Sequence, residues 1–272
     1  MSTVLITGAT DGLGRELARV LAAEGTDLIL HGRSADRLAP VAAETGARTV
    51  TADLADLAQV RRLAAAVRDS TDRLDVLVSN AGIGSGLPTG RERAESADGY
   101  ELRFAVNYLA GFLLTQELLP LLRASARDGA PARVVHVASL GQWPLDFDDL
   151  MLERGYDGGR AYAQSKLAQI MSGFELADRV PATEVTVNSL HPATFMPTKM
   201  VLAERGTSLD ELATGVAATR RLVLDPGLAG TTGRFFDRQR EARANDQAYD
   251  PDARAELWKR SLELTGAPDT QS

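Results

Sequence analysis

The stretch Val4-Leu5-Ile6-Thr7-Gly8-Ala9-Thr10-Asp11-Gly12-Leu13-Gly14 decides the fold. Its first three residues are apolar and predict a short buried strand, and three glycines follow within a turn. The apolar residues after the turn recur at helical spacing and predict a helix: Leu13, Leu17, Val20 and Leu21. This order forms the pyrophosphate site of doubly wound α/β folds, because glycine lets the backbone approach phosphates and the helix N-terminus offers free N–H groups. The spacing Gly-x-x-x-Gly-x-Gly is not the usual one, and an ordinary tight turn is the alternative.

Predicted strands and helices alternate along the rest of the chain. Further strands are expected at 27–31, 48–52, 74–79, 133–139, 184–190 and 233–237. Helices are expected at about 35–45, from about 56, and at about 96–122, 160–178, 208–222 and 252–264, with a Pro- and Gly-containing loop after Gly82 and a polar loop over 238–247. Such alternation predicts one α/β domain over residues 1–272, with a doubly wound parallel sheet of seven strands and helices on both faces.

Composition excludes several classes of protein. The chain of 272 residues has no cysteine and three histidines far apart in sequence, so we expect neither a disulfide framework nor a metal site. The net charge of −7 without a basic block argues against nucleic acid and anionic membranes as partners. The first strand begins at residue 3 or 4, and the apolar runs look shorter than a membrane span, so we expect a soluble cytoplasmic protein.

The end of the second strand bears on the choice of cofactor. It reads Gly32-Arg33, with Arg37 one helical turn later and no carboxylate to hold a ribose hydroxyl. An arginine here favours the 2′-phosphate of NADP(H), whereas a solvated arginine is the alternative. Asp11 complicates this interpretation, because it lies in the glycine turn near the same phosphate. Changing Gly32 to Asp is expected to shift the preference toward NAD(H).

Tyr162 and Lys166 point to proton-transfer chemistry. They lie four residues apart on one predicted helix, so they share a face, in a chain with only three lysines and five tyrosines. The preceding strand ends at Ser139, at the carboxyl edge where open α/β sheets bind ligands. Lowering a tyrosine pKa from about 10 to about 7 needs roughly 4 kcal/mol, which an ammonium at about 4 Å supplies at an effective dielectric near 20. Tyr162 would then protonate a carbonyl oxygen that accepts a hydrogen bond from Ser139; an incidental surface pair is the alternative.

Together these motifs closely resemble the short-chain dehydrogenase/reductase family. The matching residues, in the family's order, are Thr7-Gly8-x-x-x-Gly12-x-Gly14, Asn80-Ala81-Gly82, Asn107, Ser139 and Tyr162-x-x-x-Lys166. The resemblance implies an NAD(P)-dependent oxidoreductase on a Rossmann fold. It implies Tyr162 as the acid/base, Lys166 as the ligand of the nicotinamide ribose that depresses the tyrosine pKa, Ser139 as the group that positions the substrate oxygen, and Asn107 as the holder of a water in the proton relay.

The resemblance is greatest to the retinol-dehydrogenase-like branch. Its markers are the segment 104–109, the segment 147–150 before the tyrosine, His191-Pro192 and an arginine after the second strand. The chain departs from the family at Ser79 and Ala193, and Thr198 comes later than the usual threonine. We expect the cofactor to contact Thr7, Gly8, Thr10, Asp11, Gly12, Leu13, Gly14, Arg33, Asp53, Leu54, Asn80, Ala81, Gly82, Tyr162, Lys166, Pro192 and Thr194. Asp53 would accept a bond from the adenine amino group, or would only cap a helix.

The substrate is expected to be an apolar, medium-to-large ketone, aldehyde or alcohol. Two apolar clusters should flank Tyr162, one in the connection after Ser139 and one in a lid at about 192–208: Trp143, Leu145, Phe147, Leu150 and Met151, then Phe195, Met196, Met200, Val201 and Leu202. Packing of these residues under their own loops is the alternative.

Two other functions and an assembly are also considered. A non-catalytic nucleotide-sensing module would need the glycine turn without Ser139, Tyr162 and Lys166. An epimerase or dehydratase would usually carry a larger C-terminal part.

A homodimer or homotetramer is expected, because family members pair through the helices that here carry Asn107 and Tyr162. A stripe of small residues on the second helix would let such helices approach: Ala161, Ser165, Ala168 and Ser172.

Overall fold

A single sheet of eight strands runs through the centre of the molecule. The computed structural model describes residues 2–85 and 92–269, so part of the loop predicted after Gly82 lies outside the described residues. The strand order is β3-β2-β1-β4-β5-β6-β7-β8, with all neighbours parallel except the antiparallel pair β7–β8. The sheet contains the strands β1 (Thr3–Ile6), β2 (Asp27–Gly32), β3 (Arg48–Thr51), β4 (Val76–Ser79), β5 (Ala132–Val137), β6 (Val185–His191), β7 (Arg234–Asp237) and β8 (Arg240–Ala242).

Helices cover both faces of this sheet and bury two separate cores. They are α1 (Gly12–Ala23), α2 (Ala35–Thr45), α3 (Leu57–Ser70), α4 (Ala110–Ser125), α5 (Gly158–Arg179), α6 (Lys199–Arg205), α7 (Leu212–Leu224) and α8 (Pro251–Thr265). One core packs under α3, α4, α5 and α8, and the other under α1, α2 and α7. Successive strand residues point to opposite faces, so Leu5 lies in the first core while Val4 and Ile6 lie in the second. The predicted doubly wound α/β fold is confirmed.

Three elements differ from the sequence prediction. The sheet has eight strands, because the stretch predicted to be a polar loop folds back on β7 as β8. The helix predicted from residue 96 begins after Glu101, since Glu95 and Glu101 form an isolated antiparallel bridge. The helix predicted at 208–222 is α7, which begins four residues later, and an additional short helix, α6, lies within the predicted lid.

Within residues 2–85 and 92–269, one helical segment is long and apolar enough to span a membrane, whereas the sequence predicted none. The segment Phe104–Ser125 has the length and hydropathy of a membrane-spanning helix, yet 72% of its most apolar 18-residue stretch is buried inside the fold. It packs in the first core beside α3, so the apolar composition is that of a core helix.

The small-residue stripe of α5 is buried within the chain itself. Ala161, Ser165 and Ala168 are each at most 1% exposed, and Ser172 is 7% exposed. The C-terminal helix α8 packs on α5, where Arg254 pairs with Asp178 at 2.8 Å and Trp258 lies edge-on to Phe112 of α4. The stripe therefore fills the interior, and the pairing surface predicted from it is wrong. The oligomeric state stays a prediction, which light scattering measures.

Candidate active site

The glycine turn is locked to the end of β4. The Thr7 hydroxyl donates to the Val78 carbonyl (3.3 Å) and accepts from the N–H groups of Asn80 and Ala81 (both 3.0 Å). The Asn80 amide donates in return to the carbonyls of Thr7 (2.8 Å) and Gly8 (3.2 Å). A Cβ at Gly14 would lie 2.4 Å from the Gly8 oxygen, so this close approach requires glycine. Thr7 and Asn80 thus shape the turn, which leads into the first turn of α1.

His31 supports the same turn from β2. Its Nε2 lies 3.1 Å from the Ala52 carbonyl, and its Nδ1 accepts from the Gly8 N–H at 3.4 Å. Burial lowers the pKa of His31, in keeping with a neutral ring that donates on one side and accepts on the other. Asp53, the next residue after Ala52, accepts from the Ala55 N–H, while Asp56 caps α3. The capping role considered for Asp53 therefore belongs to Asp56.

The sequence-predicted cofactor residues near β2 fall into two groups. Arg33 is exposed at the end of β2. Arg37 instead donates to the Asp11 carboxylate at 3.2 Å, and Lys199 of α6 lies 2.8 Å from the same oxygen. The second group borders a cavity of about 280 Å³, which is lined by Thr10, Asp11, Arg15, Asp36, Arg37, Pro40, Val41 and Lys199. Leu54 lies in the first core and Leu13 in the second, so their side chains pack the interior.

Asn107 occupies a π-helical segment, Phe104–Leu109, that leads into α4. Its side chain accepts from the Ile83 N–H (2.7 Å) and donates to the Ile83 carbonyl (3.0 Å) and to the Ser165 hydroxyl (3.0 Å). A Cβ at Gly82 would lie 3.2 Å from its oxygen. Asn107 therefore joins the Asn80-Ala81-Gly82 loop to α5, at a π-bulge of the kind often found at functional sites.

Ser139, Tyr162 and Lys166 meet at the carboxyl edge of the sheet, as predicted. Ser139 follows β5, and its hydroxyl accepts from the Gly141 N–H at 3.0 Å and bonds to Tyr162. The Lys166 ammonium lies 5.9 Å from the Tyr162 ring centroid. It donates to the Val137 carbonyl at 2.8 Å and to the Gln169 amide oxygen at 3.4 Å. The three side chains thus share one edge with the glycine turn.

The two titratable groups of this cluster are both shifted by burial. Burial raises the pKa of Tyr162, the bond with Ser139 lowers it, and the Glu204 carboxylate raises it further. Burial lowers the pKa of Lys166 to about 8. The predicted lowering of the tyrosine pKa by Lys166 is therefore wrong for this structure, because the ammonium is directed to the Val137 carbonyl and Gln169.

The lid begins after β6, and its two ends are joined by a pair of backbone hydrogen bonds. We call these joined ends, Thr194-Phe195 and Leu209-Asp210, the neck of the lid. Leu209 donates to the Phe195 carbonyl (3.0 Å) and Asp210 to the Thr194 carbonyl (3.0 Å). The Asp210 carboxylate accepts from the Thr194 N–H (2.7 Å) and pairs with Arg238 (2.6 Å). The Thr194 hydroxyl contacts His191 and Arg238. Thr194 was predicted to bind the cofactor, and its hydroxyl is instead engaged within the neck. Pro192 lies within the same turn.

The expected substrate-lining residues divide between core and surface. Leu145, Leu150 and Met196 are at most 8% exposed and belong to the cores, which supports loop packing for these three. Trp143 and Leu202 are 53% and 45% exposed. Met200 and Glu204 of α6 lie against Gly84, beside the Asn80-Ala81-Gly82 loop.

Sequence reasoning missed Gln169, Glu204 and Lys199. Gln169 had a usable signal, because it lies seven residues after Tyr162 on the same helix face. Its amide lies 3.4 Å from the Ser79 carbonyl and anchors the lysine end of the cluster to β4. Glu204 and Lys199 reach the site only through the fold of the lid, and no local spacing indicates this.

The residues present fit a nicotinamide dinucleotide. The glycine turn leads into the start of α1, a place where helices favour an anion, and the Asp11 carboxylate there accepts from the Gly12 N–H. The adjoining cavity holds three cationic side chains, Arg15, Arg37 and Lys199. On the nicotinamide side, Gly82 leaves room between Asn107 and Lys166, whose Nζ lies 3.5 Å from the position of a Cβ there.

Comparisons with known proteins agree with this geometry. The profile of the short chain dehydrogenase family matches residues 2–208. Human retinol dehydrogenase 13 is 32% identical over 97% of this chain and 84% of its own length. Human polyprenol dehydrogenase is 30% identical over 97% of this chain and 85% of its own length. The structure of the Pseudomonas aeruginosa RhlG/NADP active-site complex superposes with a TM-score of 0.68 at 27% identity, over 87% of this chain and 94% of that one.

Fold, site and comparisons define an NAD(P)-dependent oxidoreductase. The chain belongs to the short-chain dehydrogenase/reductase family and is similar to its retinol-dehydrogenase-like branch.

Proposed function

We propose that this protein interconverts an apolar ketone or aldehyde and the corresponding alcohol with NADP(H), and that Tyr162 is the acid/base. The observation that carries the proposal is the meeting of Ser139, Tyr162 and Lys166 at the sheet edge that also holds the glycine turn. A nucleotide-sensing module would not need these three side chains together, so the site favours an enzyme.

The chain's own residues would divide the proton transfer among them. NADP(H), when bound, exchanges a hydride with the substrate carbon. The Ser139 hydroxyl, at the end of β5, would donate a hydrogen bond to the carbonyl oxygen, while Tyr162 transfers its proton to that oxygen in reduction and accepts it in oxidation. Lys166, buried beside Tyr162 and Gly82, would bind the nicotinamide ribose. The cationic oxidised nicotinamide would favour the tyrosinate.

The proposed cofactor preference rests on charge. Arg33 is exposed at the end of β2, and Arg15, Arg37 and Lys199 line the adjacent cavity. The negative charge of Asp11 would repel a 2′-phosphate, but Arg37 and Lys199 both form ion pairs with this carboxylate. These contacts support NADP(H) over NAD(H).

The proposed substrate class rests on the exposed apolar side chains near the site and on the relatives. Trp143 and Leu202 are exposed, and Met200 faces Gly84. Two relatives are named for retinol and for a polyprenol, both mainly hydrocarbon alcohols.

A kinetic screen tests this function. We expect turnover of ketones, aldehydes or alcohols with NADP(H), with kcat/KM rising as the apolar part of matched substrates grows. A preference for 2-oxo acids would contradict the proposed substrate class. Stoichiometric cofactor binding without turnover of any carbonyl compound would favour the sensing module, and cofactor recycled within one turnover would favour the epimerase or dehydratase.

A further inference from the structure

We propose that Lys199, on the lid helix α6, is a ligand of the 2′-phosphate of NADP(H) together with Arg37, so that this phosphate holds the lid on the glycine turn. This inference rests on the proposed NADP(H) preference and adds to it a residue from a distant part of the chain.

The two cations already converge on one point. The Asp11 oxygen Oδ2 lies 3.2 Å from Arg37 Nη2 and 2.8 Å from Lys199 Nζ, while Oδ1 accepts from the Gly12 N–H at 2.8 Å. All three side chains line the cavity of about 280 Å³ beside the turn. Arg37 comes from the first turn of α2, next to the strand end that marks the ribose site. An anion in this cavity therefore meets both cations.

Two cations of the cavity can turn to a phosphate despite Asp11. Asp11 and Asp36 contribute two negative charges to the lining, and Arg15, Arg37 and Lys199 contribute three positive ones, of which Arg15 is paired with Glu44 at 3.1 Å. Both partners of Asp11 are solvent-exposed, with 77% of the Lys199 side chain and 49% of Arg37 accessible. Exposed ion pairs contribute little to stability, so a dianionic phosphate can recruit these cations at little cost to the fold.

Lys199 connects this site to the lid. It is the first residue of α6, and the preceding Thr198 caps the helix by accepting from the Val201 N–H. The Thr198 methyl carbon lies 3.0 Å from the position of a Cβ at Gly12, so the lid rests directly on the glycine turn. A phosphate bound by Lys199 therefore adds a contact that favours this closed position, and a cofactor lacking the phosphate does not.

Calorimetric titration with two cofactor fragments tests the proposal without turnover. The fragments are 2′,5′-ADP, which carries the 2′-phosphate, and 5′-AMP, which lacks it. We expect Lys199→Met to weaken 2′,5′-ADP binding about tenfold, as for loss of one charge-assisted contact, and to leave 5′-AMP binding unchanged. The matched control is Lys259→Met, the same change at an exposed position of α8. In the unmodified protein, 2′,5′-ADP but not 5′-AMP should slow trypsin cleavage after Arg205 in the lid.

The remaining outcomes overturn the proposal in distinguishable ways. An unchanged affinity of Lys199→Met for 2′,5′-ADP, or equal losses for both fragments, would show that Lys199 does not bind the phosphate. Equal trypsin cleavage with both fragments would remove the link to the lid. If the unmodified protein bound both fragments equally, the NADP(H) preference itself would fail, and this inference with it.

Discussion

The proposed proton transfer depends on one hydroxyl, that of Tyr162. Replacing it with phenylalanine keeps the ring in place and removes the group that bonds to Ser139. We expect Tyr162→Phe to lose about 10²–10⁴-fold in kcat, because general acid–base groups contribute about this much, and to bind cofactor almost normally. Steady-state kinetics and cofactor titration measure the two effects. Tyr249→Phe, at a tyrosine 39% exposed, is the control. A Tyr162→Phe enzyme with a near-normal kcat would contradict the assignment of Tyr162 as the acid/base.

The choice between the two cofactors is better tested at Arg33 than at Gly32. A Cβ at Gly32 would lie 2.5 Å from the Thr10 methyl carbon and 3.2 Å from Leu38, so Gly32→Asp would disturb the glycine turn as well as the charge. Arg33 is exposed, and its side chain can change without a clash.

We therefore expect Arg33→Asp to reduce the ratio of kcat/KM for NADPH to that for NADH by at least tenfold, because an arginine that can bind a phosphate becomes a carboxylate that repels it. The comparison is made with one carbonyl substrate and both cofactors. Arg62→Asp, the same charge change at an exposed position of α3, should leave the ratio as it is. A ratio that stays constant in Arg33→Asp would count against a phosphate contact at this residue.

Site residues were predictable from sequence where spacing along one element sets their geometry. Tyr162 and Lys166 share a helix face, and Ser139 ends a strand, so periodicity alone brings them to one sheet edge. Asp11 follows β1 and Lys199 follows β6, so the two residues are far apart in sequence. Their contact depends on how the lid folds back over the glycine turn. The pKa direction of Tyr162 was also missed, since it depends on burial and on where the lysine ammonium finds its acceptors.

At the scale of elements, Asn107 ties the π-helical segment before α4 to the loop after β4 and to α5. The Asn107 side chain makes three hydrogen bonds, two of them to the backbone of Ile83. We expect Asn107→Ala to lower the free energy of unfolding by about 1–3 kcal/mol, because it leaves the partly buried N–H and carbonyl groups of Ile83 without their side-chain partner, and to reduce kcat as the Asn80-Ala81-Gly82 loop shifts. Urea unfolding and kinetics measure these changes. Gln239→Ala, in the exposed turn after β7, should alter neither. An Asn107→Ala protein of unchanged stability would contradict the bridging role.

The elements that the sequence did not predict are those whose structure depends on contacts with other parts of the chain. Strand β8 is a polar stretch without an apolar pattern, and it forms because the edge of β7 offers unpaired backbone groups. The helix before Asn107 begins late because the Glu101 carboxylate accepts from the Phe104 N–H at 2.7 Å and so caps it. By contrast, α2 and the start of β2 fall where capping residues and apolar runs predicted them.

At the scale of the whole molecule, acid should destabilise the fold through its histidines. Burial lowers the pKa of His31, His136 and His191, that of His136 to about 4. Between pH 6.5 and 4 the unfolded chain therefore binds protons at His136 that the folded protein does not. The free energy of unfolding should fall as the pH is lowered through this range, by up to about 3 kcal/mol from His136 alone.

Urea unfolding between pH 7 and pH 4.5 measures this dependence. In His136→Gln the fall with acidification should be smaller than in the unmodified protein, because a group that titrates only in the unfolded state is gone. Carboxylates contribute equally to both proteins and cancel in the comparison. Parallel curves for the two proteins would mean that His136 takes up its proton alike in the folded and unfolded chains.

The closed neck of the lid makes this segment an exchangeable cassette. The bonds between Thr194 and Asp210 and between Phe195 and Leu209 join the two ends to each other, and Arg238 fixes them to the β7–β8 turn. Between these ends, the segment is attached to the rest of the fold by Met196 in the second core and by Thr198 and Lys199 at the glycine turn, so its exposed residues are those that can vary most freely. A segment grafted from a relative onto these ends should therefore keep Met196, Thr198, Lys199 and Glu204 if the core, the glycine turn and the Ser139–Tyr162–Lys166 cluster are to stay as they are.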